Sequence, residues 1–102
     1  MRIITRRRLN EYAKLHSNAA VSISAWHAVA KRSVWRSLHE VRRVFPNADP
    51  ATVASGKIVT IFNIAGNHHR LITAIHYDTE KIFILEILTH AEYSKNRWKK
   101  SL

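Results

Sequence analysis

The stretch Lys57–Leu88, "KIVTIFNIAGNHHRLITAIHYDTEKIFILEIL", decides the fold. Its first segment, "KIVTIFNI" from Lys57 to Ile64, is β-branched and aromatic, which suits a pleated, half-buried surface. "AGN" at Ala65–Asn67 is a hairpin turn, "RLITAIHY" at Arg70–Tyr77 returns as the partner strand, and "DTEK" at Asp78–Lys81 turns the chain into "IFILEIL". The expectation is a three-strand antiparallel meander.

Upstream, the apolar spacing changes from two to that of helices. Leu9, Tyr12, Ala13 and His16 share one helical face, with Thr5 as the expected cap and "SNAA" at Ser17–Ala20 as an interruption. A second helix carries Ile23, Trp26 and Ala30 on one side, and Lys31 and Arg32 near its end, where cations suit the helix dipole. Ser37 and Glu40 form a capping-box pattern for a short third helix, with Leu38, Val41, Val44 and Phe45 as its core stripe and Pro46 as its stop. "NADPATVASG" at Asn47–Gly56 reads as a loop, and "MRII" at the start as a short strand that extends the sheet. The fold class is therefore α+β: N-terminal helices packed on one face of a three- to four-stranded antiparallel sheet, in one domain over residues 1–102.

The chain has 17 Lys and Arg against 7 Asp and Glu, a net charge of +10, and the cations are spread from Arg2 to Lys100. That balance points to a polyanionic partner, RNA, DNA or an anionic membrane. The lack of cysteine excludes disulfide frameworks, thiolate zinc sites and thiol nucleophiles. Apolar runs are far shorter than the roughly 20 residues that span a bilayer, and Arg6–Arg8 lead into polar sequence, so a cytoplasmic protein without a membrane partner is expected.

Beyond the last strand lies "THAEYSK", Thr89–Lys95. Metal-free cleavage of RNA needs a group to take the 2′-hydroxyl proton, one to protonate the departing 5′-oxygen, and positive charge on the phosphate. Histidine as a residue type changes charge near neutrality, so His90 fits base or acid; Tyr93 fits a proton donor or a stacking ring. Lys57, Arg70 and Lys95 are candidates for the cationic clamp. By strand parity Arg70 faces away from the main core, and pairing of the last two strands would bring Glu86 and His90 to its face. A histidine at a helix start also occurs for packing alone. "KNRWKK", with Lys95, Arg97, Trp98 and Lys99, interleaves charge and an aromatic ring as single-stranded RNA binding requires, or else is a frayed basic tail. His68 and His69 do not make a metal pair, because neighbours on a strand face opposite ways; no metal or other cofactor is expected.

Taken in order, "MRII", "AW" at Ala25–Trp26, "VFP" at Val44–Pro46, "FNI", "GN", "RL" and "THAEYSK" resemble the HigB family of toxins, part of the RelE-like group. The resemblance implies a compact α+β endoribonuclease that cuts messenger RNA, generally on the ribosome. It also implies a neutralising HigA-like antitoxin with a helix-turn-helix domain. It places catalysis on Arg70, His90 and Tyr93. Two departures from the family pattern are His69, where an aromatic residue is commoner, and Ser94, where an aspartate is. Where an acid at that place orients the histidine, this copy is weakened or recruits Glu92 or Glu86. The rival functions are a catalytically silent RNA- or DNA-binding module and a toxin that blocks ribosomes by binding.

Overall fold

In a computed structural model, which describes residues 1–102, the meander is present as β3 (Ile58–Ile64), β4 (His69–His76) and β5 (Lys81–Thr89). We label the other elements in chain order: β1 (Arg2–Ile4), α1 (Arg6–Leu15), α2 (Ser17–Arg32), α3 (Leu38–Val44), β2 (Asp49–Thr52), α4 (His90–Ser94) and α5 (Arg97–Ser101). The β3–β4 turn puts Ala65 and Gly66 at φ of 54° and 66°, both left-handed, so the glycine meets a backbone demand that Ala65 meets only under strain.

The sheet has five strands, in the order β1-β5-β4-β3-β2, and it is mixed rather than purely antiparallel. Two readings of the sequence need correction. "MRII" joins parallel to β5, Arg2 opposite Lys81 and Ile4 opposite Phe83. The stretch read as a loop contains β2, with Pro50 opposite Thr60. Turn-forming residues hid that strand because β2 lies at the sheet edge, where a residue without an N–H loses no second ladder bond.

β5 carries an irregularity that strict alternation does not anticipate. Thr73 pairs with Ile84 and Ile72 with Glu86, leaving Leu85 without a partner. Ile82, Ile84 and Ile87 therefore enter the main core while Leu85 and Leu88 pack on the other face, and Glu86 avoids burial among the isoleucines. β1 covers only the first part of β5's edge; farther on, Arg8 of α1 donates to the Leu85 carbonyl at 2.6 Å.

The helices differ from expectation at their ends. Thr5 is left-handed, with φ of 69°, and its side chain caps nothing. "SNAA" does not interrupt a helix but forms the first turn of α2; the break is the single residue His16. Ser37 accepts from the Glu40 N–H as expected, whereas the Glu40 carboxylate reaches back to the Arg36 N–H at 2.9 Å. In α3 Val41 is buried and Phe45 packs beside it, but Val44 points to solvent, so it leaves the expected stripe.

Leu9, Ile23, Trp26, Ala30 and Val41 from the helices meet Phe62, Ile64, Leu71 and Ile82 of the sheet. Trp26 and Phe45 both set their rings edge-on to Phe62, at 5.3 Å, so Trp26 and Trp35 are core residues. The opposite sheet face is not bare. α5 folds across it, and Trp98, 4% exposed, packs on Val53, Val59, Ile61 and Ile72. "KNRWKK" is thus no frayed tail, and helical cover is not confined to one face. No helix is long and apolar enough to cross a membrane.

Candidate active site

Arg70 sits near the start of β4, opposite Asn63 of β3 and Leu88 of β5. Its Nη1 donates to the carbonyls of Asn67 at 3.2 Å and His69 at 3.1 Å, and its Nη2 donates to Asn67 Oδ1. The guanidinium lies 5.3 Å from the centre of the Tyr93 ring, a cation–π distance. No carboxylate pairs with it, although the molecule has four ion pairs elsewhere. The half-buried guanidinium is thus fixed by neutral groups, with its charge uncompensated by any carboxylate within ion-pair distance.

The arginine and the tyrosine line a cleft of about 340 Å³ together with Asn47, Asp49, Ile61 and Asn63. Three strands, the end of the α3 loop and α4 contribute to it. Tyr93 is placed by α5: its ring stacks on Trp98 at 5.3 Å and 12°, and the Trp98 indole N–H donates to the Tyr93 carbonyl at 3.0 Å. Trp98, expected to bind RNA, is thereby corrected to a buried support for the residue that faces the cleft.

His90 is the first residue of α4 and is exposed. Thr89 caps the helix by accepting from the Glu92 N–H, and the His90 N–H donates to the His68 carbonyl at 2.9 Å, which ties α4 to the β3–β4 turn. His90 and Tyr93, three apart, are neighbours on the helix surface, although His90 does not line the cleft itself. Ser94 donates its hydroxyl to the His90 carbonyl at 2.9 Å and lies 3.5 Å from Nδ1, too long to hold the ring firmly. Neither substitute acid engages it. Glu92 pairs with Lys95 at 3.0 Å, which holds its carboxyl below the usual range, and Glu86 lies 3.9 Å from Arg8.

The remaining candidates scatter. Lys95 and Arg97 are exposed close to Tyr93 in sequence, and Lys99 lies over the Trp98 ring at 5.4 Å. Lys57 is at the far end of β3, six residues from Asn63, or roughly 20 Å at strand rise. It borders an apolar groove with Ile58, Ala74 and Leu85 instead of the Arg70 cleft.

His68 is exposed and His69 is buried, so the two do diverge. His69 is the centre of a polar cluster beneath the site: Tyr12 donates to its Nδ1 at 2.7 Å, and its Nε2–H donates to Asn18 Oδ1 at 3.0 Å. His16 stacks on Tyr12 at 4.0 Å. Burial, with the charges of His16 and His68, pushes His69 below its ordinary value, and burial pushes Tyr12 up to about 12. Both directions favour the neutral pair that the hydrogen bonds need. Sequence reading did not single out Asn47, Asp49, Asn63 or Asn67 as site residues; only their turn-forming character and the "FNI" and "GN" fragments marked them.

A model of the HigB toxin family, described as the RelE-like toxic component of a toxin-antitoxin system, matches residues 19–96. The mRNA interferase toxin HigB of Escherichia coli K12 is 25% identical over 93 residues, which cover 91% of this chain and 88% of that one. Proteins named mRNA interferase HigB from Escherichia coli O157:H7 and Shigella flexneri match to the same extent. The matched span includes the cleft and both residues that face each other across it, Arg70 and Tyr93, and on that basis the chain belongs to the HigB toxin family, the RelE-like toxic components of toxin-antitoxin systems.

Proposed function

We propose that this chain, as one toxin domain over residues 1–102, is an endoribonuclease that inhibits translation by cutting messenger RNA on the ribosome, in the cytoplasm, without a metal. The relatives named mRNA interferases support the reaction class. The observation that carries the reading is the Arg70 guanidinium, held over Tyr93 and paired with no carboxylate, while Asp49 on the cleft wall is paired with Arg42.

An arginine has five N–H donors, and the turn occupies three of them. The Nε–H and one Nη2–H are left to grip two oxygens of a phosphate side by side. As the 2′-oxygen attacks, the phosphate gains charge that this fixed cation stabilises without rearranging. His90 moves the proton, and Tyr93 stacks on a base or donates to the leaving oxygen. Lys95, Arg97 and Lys99 hold the flanking strand. A HigA-like helix-turn-helix protein is the neutralising partner.

The long Ser94 to His90 contact favours a second reading, a toxin that binds the ribosome and cuts slowly or not at all. Single-turnover cleavage of ribosome-bound messenger RNA separates the two. Cleavage that His90→Gln and Arg70→Ala both abolish, in proteins that melt normally, supports the nuclease; translation arrest without new RNA ends supports the blocking toxin.

A further inference from the structure

A second concavity is larger than the Arg70 cleft. A groove of about 620 Å³ opens at the other end of the sheet, where Arg2 of β1, Arg6 of α1 and His27 and Lys31 of α2 converge beside Thr79 and Glu80 of the β4–β5 turn. His27 and Lys31 are one helical turn apart and so share a face. Arg2, Arg6 and Lys31 are exposed, and none takes part in an ion pair. Glu80 is the single acid on the rim.

Three elements thus bring like charges together at a place where compensation is thin. The positive end of α1 adds to this, since its first turn holds arginines and no acid. Burial, Arg6 and Lys31 together hold His27 below its ordinary value, so the ring is a neutral donor among fixed cations. Such an arrangement repels itself when empty and is relieved by an anion. A separate small cavity of about 90 Å³ between α1 and α2 shares Arg6 and His27 with the groove.

The groove cannot serve the same phosphate as Arg70. Arg2 pairs with Lys81 at the start of β5, whereas His69, the neighbour of Arg70, pairs with Thr89 at its end. Eight residues of strand separate the two, roughly 26 Å.

We propose that the Arg2–Arg6–His27–Lys31 groove is a second RNA-backbone site, which grips phosphodiesters remote from the bond that is cut. It rests on RNA being the substrate at the Arg70 cleft. The backbone comes either from the same message or from structural RNA of the ribosome; the chemistry of recognition is the same.

The test compares the full chain with an Arg6→Glu/Lys31→Glu variant, an Arg6→Gln/Lys31→Gln variant and a Lys14→Glu/Arg36→Glu control that reverses two exposed cations outside both sites. Arg70→Ala serves as a cleft variant, and thermal melting confirms folding. Affinity is measured against a labelled 30-nucleotide single strand, a six-nucleotide strand and purified ribosomes, across a salt series. The groove variants should bind at least tenfold more weakly to the long strand or to ribosomes, with a salt slope shallower by about 1.4 on the single strand for two lost contacts. Six-nucleotide binding should stay at the control's level, and Arg70→Ala should keep the groove's contribution. Weakening on the long strand alone assigns the phosphates to the message; weakening on ribosomes alone assigns them to structural RNA. Affinity equal to the control's on both overturns the groove while leaving the Arg70 reading intact. No salt-dependent RNA or ribosome binding by the unaltered chain overturns both.

Discussion

At the scale of single residues, the proposed chemistry rests on Arg70 and Tyr93. The arginine is held by the Asn67 and His69 carbonyls and the Asn67 side chain, and lies 5.3 Å from the tyrosine ring, so its planar shape matters as much as its charge. Arg70→Ala should lower the single-turnover cleavage rate by about 10²–10³, the cost of one preorganised transition-state donor. Ground-state RNA affinity should fall much less. Arg70→Lys keeps the charge but not the fork, and a rate closer to alanine than to arginine is expected; wild-type rates with lysine would reduce the residue to a point charge. Tyr93→Phe should cost little if the ring stacks, and as much as His90→Gln if its hydroxyl gives up the proton.

The elements bring these residues together through contacts on both faces of the sheet. On one face, Trp98→Ala should destabilise the fold by about 3–5 kcal/mol, the usual cost of emptying a buried tryptophan site. Because Tyr93 stacks on that indole, cleavage at a temperature where the variant stays folded should fall as well. Arg97→Ala, on the same helix but exposed, should leave the melting temperature nearly unchanged. On the other face, Tyr12→Phe leaves His69 Nδ1 without its donor and should cost about 1–3 kcal/mol. His69 is held below its unfolded value, so the unfolded chain takes up the proton first. Its contribution is complete above about pH 6.5 and is lost as the pH falls through that value toward the lower folded one. Melting curves of wild type and His69→Phe between pH 5 and 8 should show the variant losing less stability toward acid. Parallel loss in both would remove His69 as the source.

For the whole molecule the governing quantity is charge, +10 spread over one small surface. RNA binding should weaken steeply between 50 and 200 mM salt, with a slope near −0.7 for each phosphate contact on a single strand. Association with the antitoxin should slow with salt in the same way where an acidic segment docks on this surface, and stopped-flow mixing at several salt concentrations checks it. A salt-insensitive rate would point to apolar docking, for instance near Ile58, which is 69% exposed.

The sequence by itself determined the meander, the two long helices and the family. Strand period in "KIVTIFNI" and "RLITAIHY", helical spacing of Ile23, Trp26 and Ala30, and the ordered fragments ending in "THAEYSK" are local signals, written within a few residues. It also showed that Arg70 faces away from the main core, since alternation holds along β4. Tertiary structure decided what depends on partners distant in the chain. Edge strand β2 exists because β3 offers it a free ladder, against its own turn-rich composition. The unpaired Leu85 shifts which β5 residues enter the core, and nothing in "IFILEIL" marks the place. Trp98 looks like an RNA-binding ring in "KNRWKK" and is buried because the sheet's second face has apolar area to cover. His69 looks like half of a metal pair and is instead hydrogen-bonded to Tyr12 and Asn18, 57 and 51 residues away, contacts that no local pattern encodes.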